Sequence, residues 1–197
     1  ATIGLFGLFF MLIAAGISSC SAILNGGLSA TMAGSYQSQP AQLDASDEAM
    51  TSMEMALQNT IDSIEEDYPD YDEYNYNLEE SGHNPFTLIN YLSAIKVDVV
   101  AADCEAEIES LFDEMYELTL TPREETRTRT VTVTNEETGE EEEVEEEYTV
   151  TILDVELTRK PLEDIVSERL TGNDDASVLY AAYQQTNGAL QQFYTPL

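Results

Sequence analysis

The sequence contains very few basic residues. Seven Lys or Arg stand against 39 Asp or Glu in 197 residues, which gives a formal net charge of −32 at pH 7. An electrostatic field of that sign repels phosphate, so direct binding of DNA or RNA is excluded as an expected function. The first basic residue is Lys96, so the chain before it has no Lys or Arg to balance its carboxylates.

Residue types that commonly carry catalysis are also scarce. The chain has one His, two Cys and no Trp. It lacks a glycine-rich phosphate loop, a Cys-x-x-C pair, a His cluster and a Gly-x-Ser-x-Gly elbow. His83 has no nearby Cys or Ser motif to activate, so we interpret it as structural. Carboxylates are too abundant for any one pair to stand out. We expect no catalytic residue and no cofactor in this chain.

Residues 2–19 carry no charge and are mostly apolar. A run of about 18 such residues is just long enough to cross a bilayer as a helix, and a flank without Lys or Arg belongs on the far side. The sequence therefore predicts a transmembrane anchor at 1–24 in contact with membrane lipid. It also predicts a single-pass location in the cell membrane, with the domain on the extracytoplasmic, cell-wall side. Small residues in the anchor would allow several copies to pack as a homo-oligomer: Gly4, Gly7 and Gly16.

The two cysteines leave three interpretations open. Cys20 and Cys104 could form one disulfide, although nothing in the sequence brings them together. The residues 17–20 (ISSC) also fit the short consensus before a bacterial lipidated cysteine. The favoured interpretation is a small residue at a membrane boundary.

The rest of the chain predicts one acidic α+β domain. Residues 25–47 are small and polar, as in a linker, the domain covers 48–190, and 191–197 begin a connection. Apolar residues at intervals of three and four predict helices at about 48–66, 85–96 and 104–117, with two more after Pro161. Ser46 or Asp47 is expected to cap the first helix, and Asn84 before Pro85 to start the second. The predicted inner faces of the second and fourth helices are formed by these residues: Phe86, Ile89, Leu92 and Ile95, and Leu162, Ile165, Val166 and Leu170. The predicted fold class is α+β: a single N-terminal transmembrane helix followed by a helical domain with a long antiparallel β-hairpin.

Tyrosine and acidic residues alternate over 67–80. Carboxylates in this segment could supply oxygen ligands to Ca²⁺, as weak metal candidates: Asp67, Asp70, Asp72 and Glu73. Their spacing does not match the helix–loop–helix calcium pattern, which needs Gly at its sixth and Glu at its twelfth position. A solvated loop is the alternative.

Residues 118–134 and 144–158 alternate and are rich in Thr, Val and Tyr, which predicts two strands around a turn at Gly139. If Thr134 faces Glu140, opposite charges meet across the hairpin. That register predicts two ion pairs: Arg127 with Glu147 and Arg129 with Glu145. The acidic tip is interpreted either as a solvated arm or as a contact arm for a basic partner.

Five sequence stretches, taken in order, resemble those of a known family. They are SSCS, YDEYNYNLEESGHNPFTLINYLSAI, LFDEMYELTLT, ETRTRTVT and EEEYTVTILDVELT. This order resembles the membrane-proximal region of mobile-element proteins from integrative conjugative elements of Clostridium-like Gram-positive bacteria. The resemblance implies a conjugative type IV secretion apparatus. It also implies a Lys-rich segment before this region and an NlpC-type peptidoglycan hydrolase domain after it. Neither is in this sequence, so no catalytic residue carries over.

The leading hypothesis is a non-catalytic, membrane-anchored assembly or scaffold domain of that secretion apparatus. It would position a cell-wall hydrolase or channel partners on the extracytoplasmic side. One alternative is a pilin-like filament subunit with an apolar N-terminal core helix, although Leu5 stands where many pilins have glutamate. The other is a wall-cleaving hydrolase.

Overall fold

The computed structural model describes residues 36–96, 98–134 and 141–191, with side chains as far as Asn187. The helices are α1 (Pro40–Asp62), α2 (Ile64–Asp67), α3 (Pro85–Ile95), α4 (Ala101–Met115), α5 (Leu162–Leu170) and α6 (Asp174–Gln191). The strands are β1 (Glu73–Leu78), β2 (Tyr116–Thr134) and β3 (Glu141–Arg159). The helices and strands together form two compact units. A helical unit contains α1, α3, α4, α5 and α6, and a sheet unit contains Ser63–Glu79 and Glu117–Thr158.

The predicted fold class is wrong in its membrane helix. No helix in the described ranges is long and apolar enough to cross a membrane. The predicted anchor at 1–24, with Gly4, Gly7, Gly16 and Cys20, lies outside the described residues. The apolar run on which the prediction rested is short, since about 18 apolar residues is near the lower limit for a membrane span. The predicted single-pass location in the cell membrane rested on this helix and is corrected with it.

The predicted hairpin is present as β2 and β3, but the sheet is mixed and three-stranded, because the segment interpreted as a loop or a metal site contributes β1. The strand order is β1-β3-β2, and β1 runs parallel to β3 from Glu73 opposite Ile152 to Leu78 opposite Leu157. Along this pair, Asn75 Nδ2 donates to Asp154 Oδ1 at 2.8 Å and Asn77 Nδ2 donates to Glu156 Oε1 at 3.2 Å. Amide side chains therefore meet the carboxylates of β3 across the parallel pair.

Helix α1 begins inside the segment predicted to be a linker. It starts at Pro40, a residue that is tolerated in the first helical turn because its missing N–H has no helical partner there. Leu43 and Ser46 are buried and extend the apolar stripe of the helix backwards. Ser46, expected as a cap, instead donates from Oγ to the backbone oxygen of Gln42 within the helix.

Helix α3 is the most buried element of the helical unit. It starts as predicted, with Pro85 in the first turn and the Asn84 side chain accepting a hydrogen bond from Phe86 N at 3.0 Å. Every residue from Pro85 to Ala94 is buried, including Thr87, Asn90 and Ala94, which lie off the predicted inner face. The helix is therefore enclosed on all sides, with contacts to α1, α5 and α6.

Two of the large apolar residues of α6 face solvent. Val178 and Leu179 are exposed, whereas Ala176 and Asn187 are buried. In α5, by contrast, the predicted inner face is confirmed, since four residues are buried: Leu162, Ile165, Val166 and Leu170. In α4, Cys104 is a buried free thiol, and burial raises its pKa.

Candidate interaction surface

The distal part of the hairpin, residues 129–134 of β2 and 141–149 of β3, is called the arm below. Every arm residue is exposed except Val131, which is half-buried. The first residue of β3 that pairs with β1 is Ile152, so the arm lies beyond the three-stranded part of the sheet. At about 3.3 Å per residue, nine residues of β3 extend over about 30 Å.

The arm combines strong negative charge with apolar side chains in solvent. Its described residues contain six glutamates and one arginine. Val133, Val144 and Tyr148 are exposed large hydrophobic residues. Arg129 is held by Glu146, with 2.8 Å between Nη2 and Oε2, and its guanidinium lies 5.3 Å from the centre of the Tyr148 ring. Isolated surface pairs of this kind stabilise little. The other five glutamates of the arm have no cation beside them among the described side chains.

The ion pairs of the hairpin differ from those that the predicted register requires. Arg129 pairs with Glu146 where Glu145 was expected. Arg127 pairs with Glu73 and Glu125 where Glu147 was expected. The side chains of Glu145 and Glu147 are exposed. The acid density of the arm is therefore less compensated than the sequence indicates.

At the base of the hairpin, Arg127 joins the two outer strands of the sheet. Its Nη1 and Nη2 donate to the two carboxylate oxygens of Glu73 on β1, at 2.5 and 2.9 Å, and its Nε donates to Glu125 at 2.8 Å. This planar fork matches the geometry of a carboxylate. The hydrogen bonds from Arg127 hold the pKa of Glu73 below its usual value. Arg127 therefore fixes β1 to β2 across β3.

The four metal candidates do not converge. The Asp72 carboxylate is occupied by Thr151 of β3, because its Oδ2 accepts from Thr151 N and Thr151 Oγ1, both at 2.8 Å. These hydrogen bonds lower its pKa. Glu73 is used by Arg127, Asp67 ends α2, and Asp70 offers its backbone oxygen to Thr151 at 3.5 Å. Within the described ranges, no group of three or more His, Cys, Asp or Glu side chains could hold a metal ion.

In the helical unit, His83 lies between two carboxylates of α1. Its Nδ1 is 3.0 Å from Glu54 Oε2 and its Nε2 is 2.9 Å from Asp47 Oδ1. The other oxygen of Glu54 accepts from the Tyr116 hydroxyl at 2.7 Å, and that hydroxyl accepts from Gly82 N at 2.8 Å. The cluster ties the segment before α3 to α1 and to the end of α4.

His83 carries a positive charge in this cluster. Burial lowers its pKa, but hydrogen bonds and charge from Asp47 and Glu54 outweigh burial and raise the pKa to about 9. An imidazolium with both nitrogens donating has no free nitrogen to act as a base. Glu54 is recognisable in the sequence as a partner, since it interrupts the apolar stripe formed by Met50, Leu57 and Ile61.

A second buried polar cluster joins the start of the described chain to α3 and α6. The Tyr36 hydroxyl donates to Asn90 Oδ1 at 2.5 Å and accepts from Asn187 Nδ2 at 2.7 Å. The Tyr36 ring stacks on Tyr183 with 5.0 Å between centroids. Asn90 Nδ2 and Asn187 Oδ1 are buried without a hydrogen-bond partner.

We expect Tyr36→Phe to lower the free energy of unfolding by about 1–2 kcal/mol, because Asn187 then loses its short hydrogen bond inside the protein. Urea unfolding followed by circular dichroism measures the change. Tyr71→Phe is the control, since Tyr71 is a half-buried tyrosine of the sheet unit whose hydroxyl takes no part in this cluster. An equal loss in both variants would contradict a specific role for the Tyr36 hydroxyl.

Comparisons with known proteins add no relative: no family model matches the chain, and neither a curated protein nor a solved structure matches it.

Proposed function

We propose that this chain is a non-catalytic assembly domain of a conjugative type IV secretion apparatus, and that its arm is the part that holds a basic partner protein. The apparatus is suggested by the sequence resemblance, and the contact role is supported by the arm. The single observation that carries the contact role is a two-stranded extension exposed on both faces with six glutamates against one arginine.

The arm is costly to the fold on its own. A two-stranded hairpin without a packed face is marginally stable in water. Like charges placed close together on a sheet destabilise it further. Stability of the sheet unit therefore does not explain why the strands continue so far beyond β1.

A basic partner would resolve both costs. Its Lys and Arg side chains would neutralise the glutamates, and its apolar side chains would cover Val133, Val144 and Tyr148, which the arm leaves in solvent. Complementary charge also speeds the encounter of the two proteins and disfavours acidic competitors. The arm therefore has the composition of a surface that is completed by binding.

We expect deletion of the arm to remove binding and leave the fold intact. The variant joins Arg129 to Tyr148 through Asn-Gly, since these two residues already lie together across the hairpin. The free energy of unfolding of the remaining protein should change by no more than about 1 kcal/mol, because exposed residues contribute little. In donor cells that carry the undeleted protein, site-specific cross-linking from Val144 should capture an apparatus protein.

A charge-only variant separates the acids from the length of the arm. Replacing Glu143, Glu145, Glu146 and Glu147 by Gln keeps the hairpin and should reduce cross-linking and DNA transfer at least about tenfold, equivalent to 1.4 kcal/mol of binding. Normal transfer with the arm deleted would contradict the proposal. So would clearing of purified peptidoglycan by the purified chain, which would show a catalytic role.

A further inference from the structure

Among the described residues, one edge of β3 has no neighbouring strand along the arm. Strand β2 lies on one side of β3, and β1 lies on the other side only at Ile152–Leu157. Between Glu141 and Val150, no strand among the described residues pairs with that second edge. An open edge presents a row of backbone N–H and C=O groups that can pair with another strand.

The backbone groups on the open edge can be assigned residue by residue. Thr151 O accepts from Asp72 N at 2.9 Å, and Thr151 N donates to Asp72 Oδ2 at 2.8 Å, so Thr151 points toward the β1 side. Backbone direction alternates along a strand. The amides on the open edge are therefore those of the odd-numbered residues Glu141, Glu143, Glu145, Glu147 and Thr149.

Strand β1 shows what this edge requires of a neighbouring strand. Each carboxylate of β3 beside β1 is met by a donor, Asn75 for Asp154 and Asn77 for Glu156. Farther along β3, acids occupy both faces, with Glu146 on the same face as Asp154 and Glu145 on the opposite face. A strand docked there must present donors or cations on both of its faces.

We propose that the open edge of β3 from Glu141 to Thr149 docks an extended, lysine- or arginine-bearing segment of a partner protein as an added strand in line with β1. This proposal rests on the proposed function and adds the binding mode. Backbone hydrogen bonds supply the register and cross-strand cations supply the selection.

The occupant is a different protein and not a second copy of this chain. A second arm would place glutamates opposite glutamates, which destabilises a strand pair. The alternating basic stretch of this chain, Arg127 to Thr130, already lies in β2 beside β3, and its arginines are engaged by Glu73, Glu125 and Glu146. The acids thus disfavour acidic strands at the edge and favour a cationic one.

The experiment uses the full chain and an acetylated peptide of about eight residues in which Lys alternates with Thr, the length of a typical strand. At about 0.15 M salt the peptide should bind saturably, and amide exchange measured by NMR should slow at the odd-numbered residues Glu143, Glu145 and Glu147. The matched peptide carries N-methyl groups on alternate backbone nitrogens, keeps every charge, and should bind at least about tenfold more weakly, since it cannot complete the ladder.

Protein variants provide the second control. The triple variant Glu143→Gln, Glu145→Gln, Glu147→Gln should weaken peptide binding at least about tenfold. The same change of net charge at exposed helical positions should leave binding unchanged: Glu48→Gln, Glu105→Gln and Glu109→Gln.

Three results would overturn the proposal. These are equal binding of the N-methylated peptide, absence of saturable binding by the unmodified peptide, and self-association of the chain with slowed exchange at the same odd-numbered amides. Each leaves the assembly function standing if cross-linking from the arm still captures an apparatus protein. Loss of that cross-link alone would remove the proposed function instead.

Discussion

Replacement of His83 by Gln should lower the free energy of unfolding by about 3–5 kcal/mol at pH 7, because the change leaves an uncompensated carboxylate in the protein interior. His83 is 4% exposed and Glu54 is 8% exposed, so water cannot take over the lost interaction at Glu54. Asp47 is partly exposed and contributes less to the penalty. Guanidinium unfolding at constant m measures the loss.

The double variant His83→Gln, Glu54→Gln tests the cause. It removes the buried negative charge and keeps an oxygen that accepts from the Tyr116 hydroxyl, so it should recover part of the stability lost in the single variant. A double variant less stable than the single one would show that the loss comes from packing around the imidazole and not from charge.

The same cluster determines how stability depends on pH. The pKa of His83 is raised from 6.5 in a model compound to about 9 in the folded protein. Its contribution is therefore fully present below pH 6.5 and is lost as pH rises through 9, a difference of about 3 kcal/mol. We expect the native protein to lose this amount between pH 6.5 and 10 more than the His83→Gln variant does. Parallel curves for the two proteins would contradict a charged His83.

Local patterns predicted the long strands but not the parallel one. Alternation of Thr and Val with charged residues identified the two strands of the hairpin, since both partners lie close in the sequence. The partner of β1 lies 79 positions away, as at Asn75 and Asp154. β1 also contains Asn at two positions, and Asn is disfavoured in strands. Long-range pairing made this segment a strand where the sequence indicated a loop.

The ion pairs of the hairpin show how strongly a predicted site depends on register. Arg129 was expected opposite Glu145 but pairs with Glu146. Because side chains alternate between faces, a shift of one residue moves every partner to the other side of the sheet. For His83 the sequence indicated a structural role, and Glu54 stands out as an acid within the apolar stripe of α1, but with 39 acids in the chain Asp47 could not be selected.

The burial of helix α3 differs from the burial that its sequence predicts. The sequence predicts an amphipathic helix with Phe86, Ile89, Leu92 and Ile95 inward, which leaves Thr87, Asn90 and Ala94 on the outer face. In the structure all three are buried. Helix α6 packs on α3. The sequence pattern of α3 alone does not reveal that contact.

On the inner face of the same helix, Leu88 is 0% exposed, so Leu88→Ala should lower the free energy of unfolding by about 2–5 kcal/mol, the range for removing a buried leucine side chain and leaving a cavity. Val178→Ala in α6 is the control, since Val178 is 69% exposed and its truncation should change stability by no more than about 0.5 kcal/mol. Urea unfolding of both variants measures the difference. If Leu88→Ala were as mild as Val178→Ala, the burial of α3 in the helical unit would be wrong.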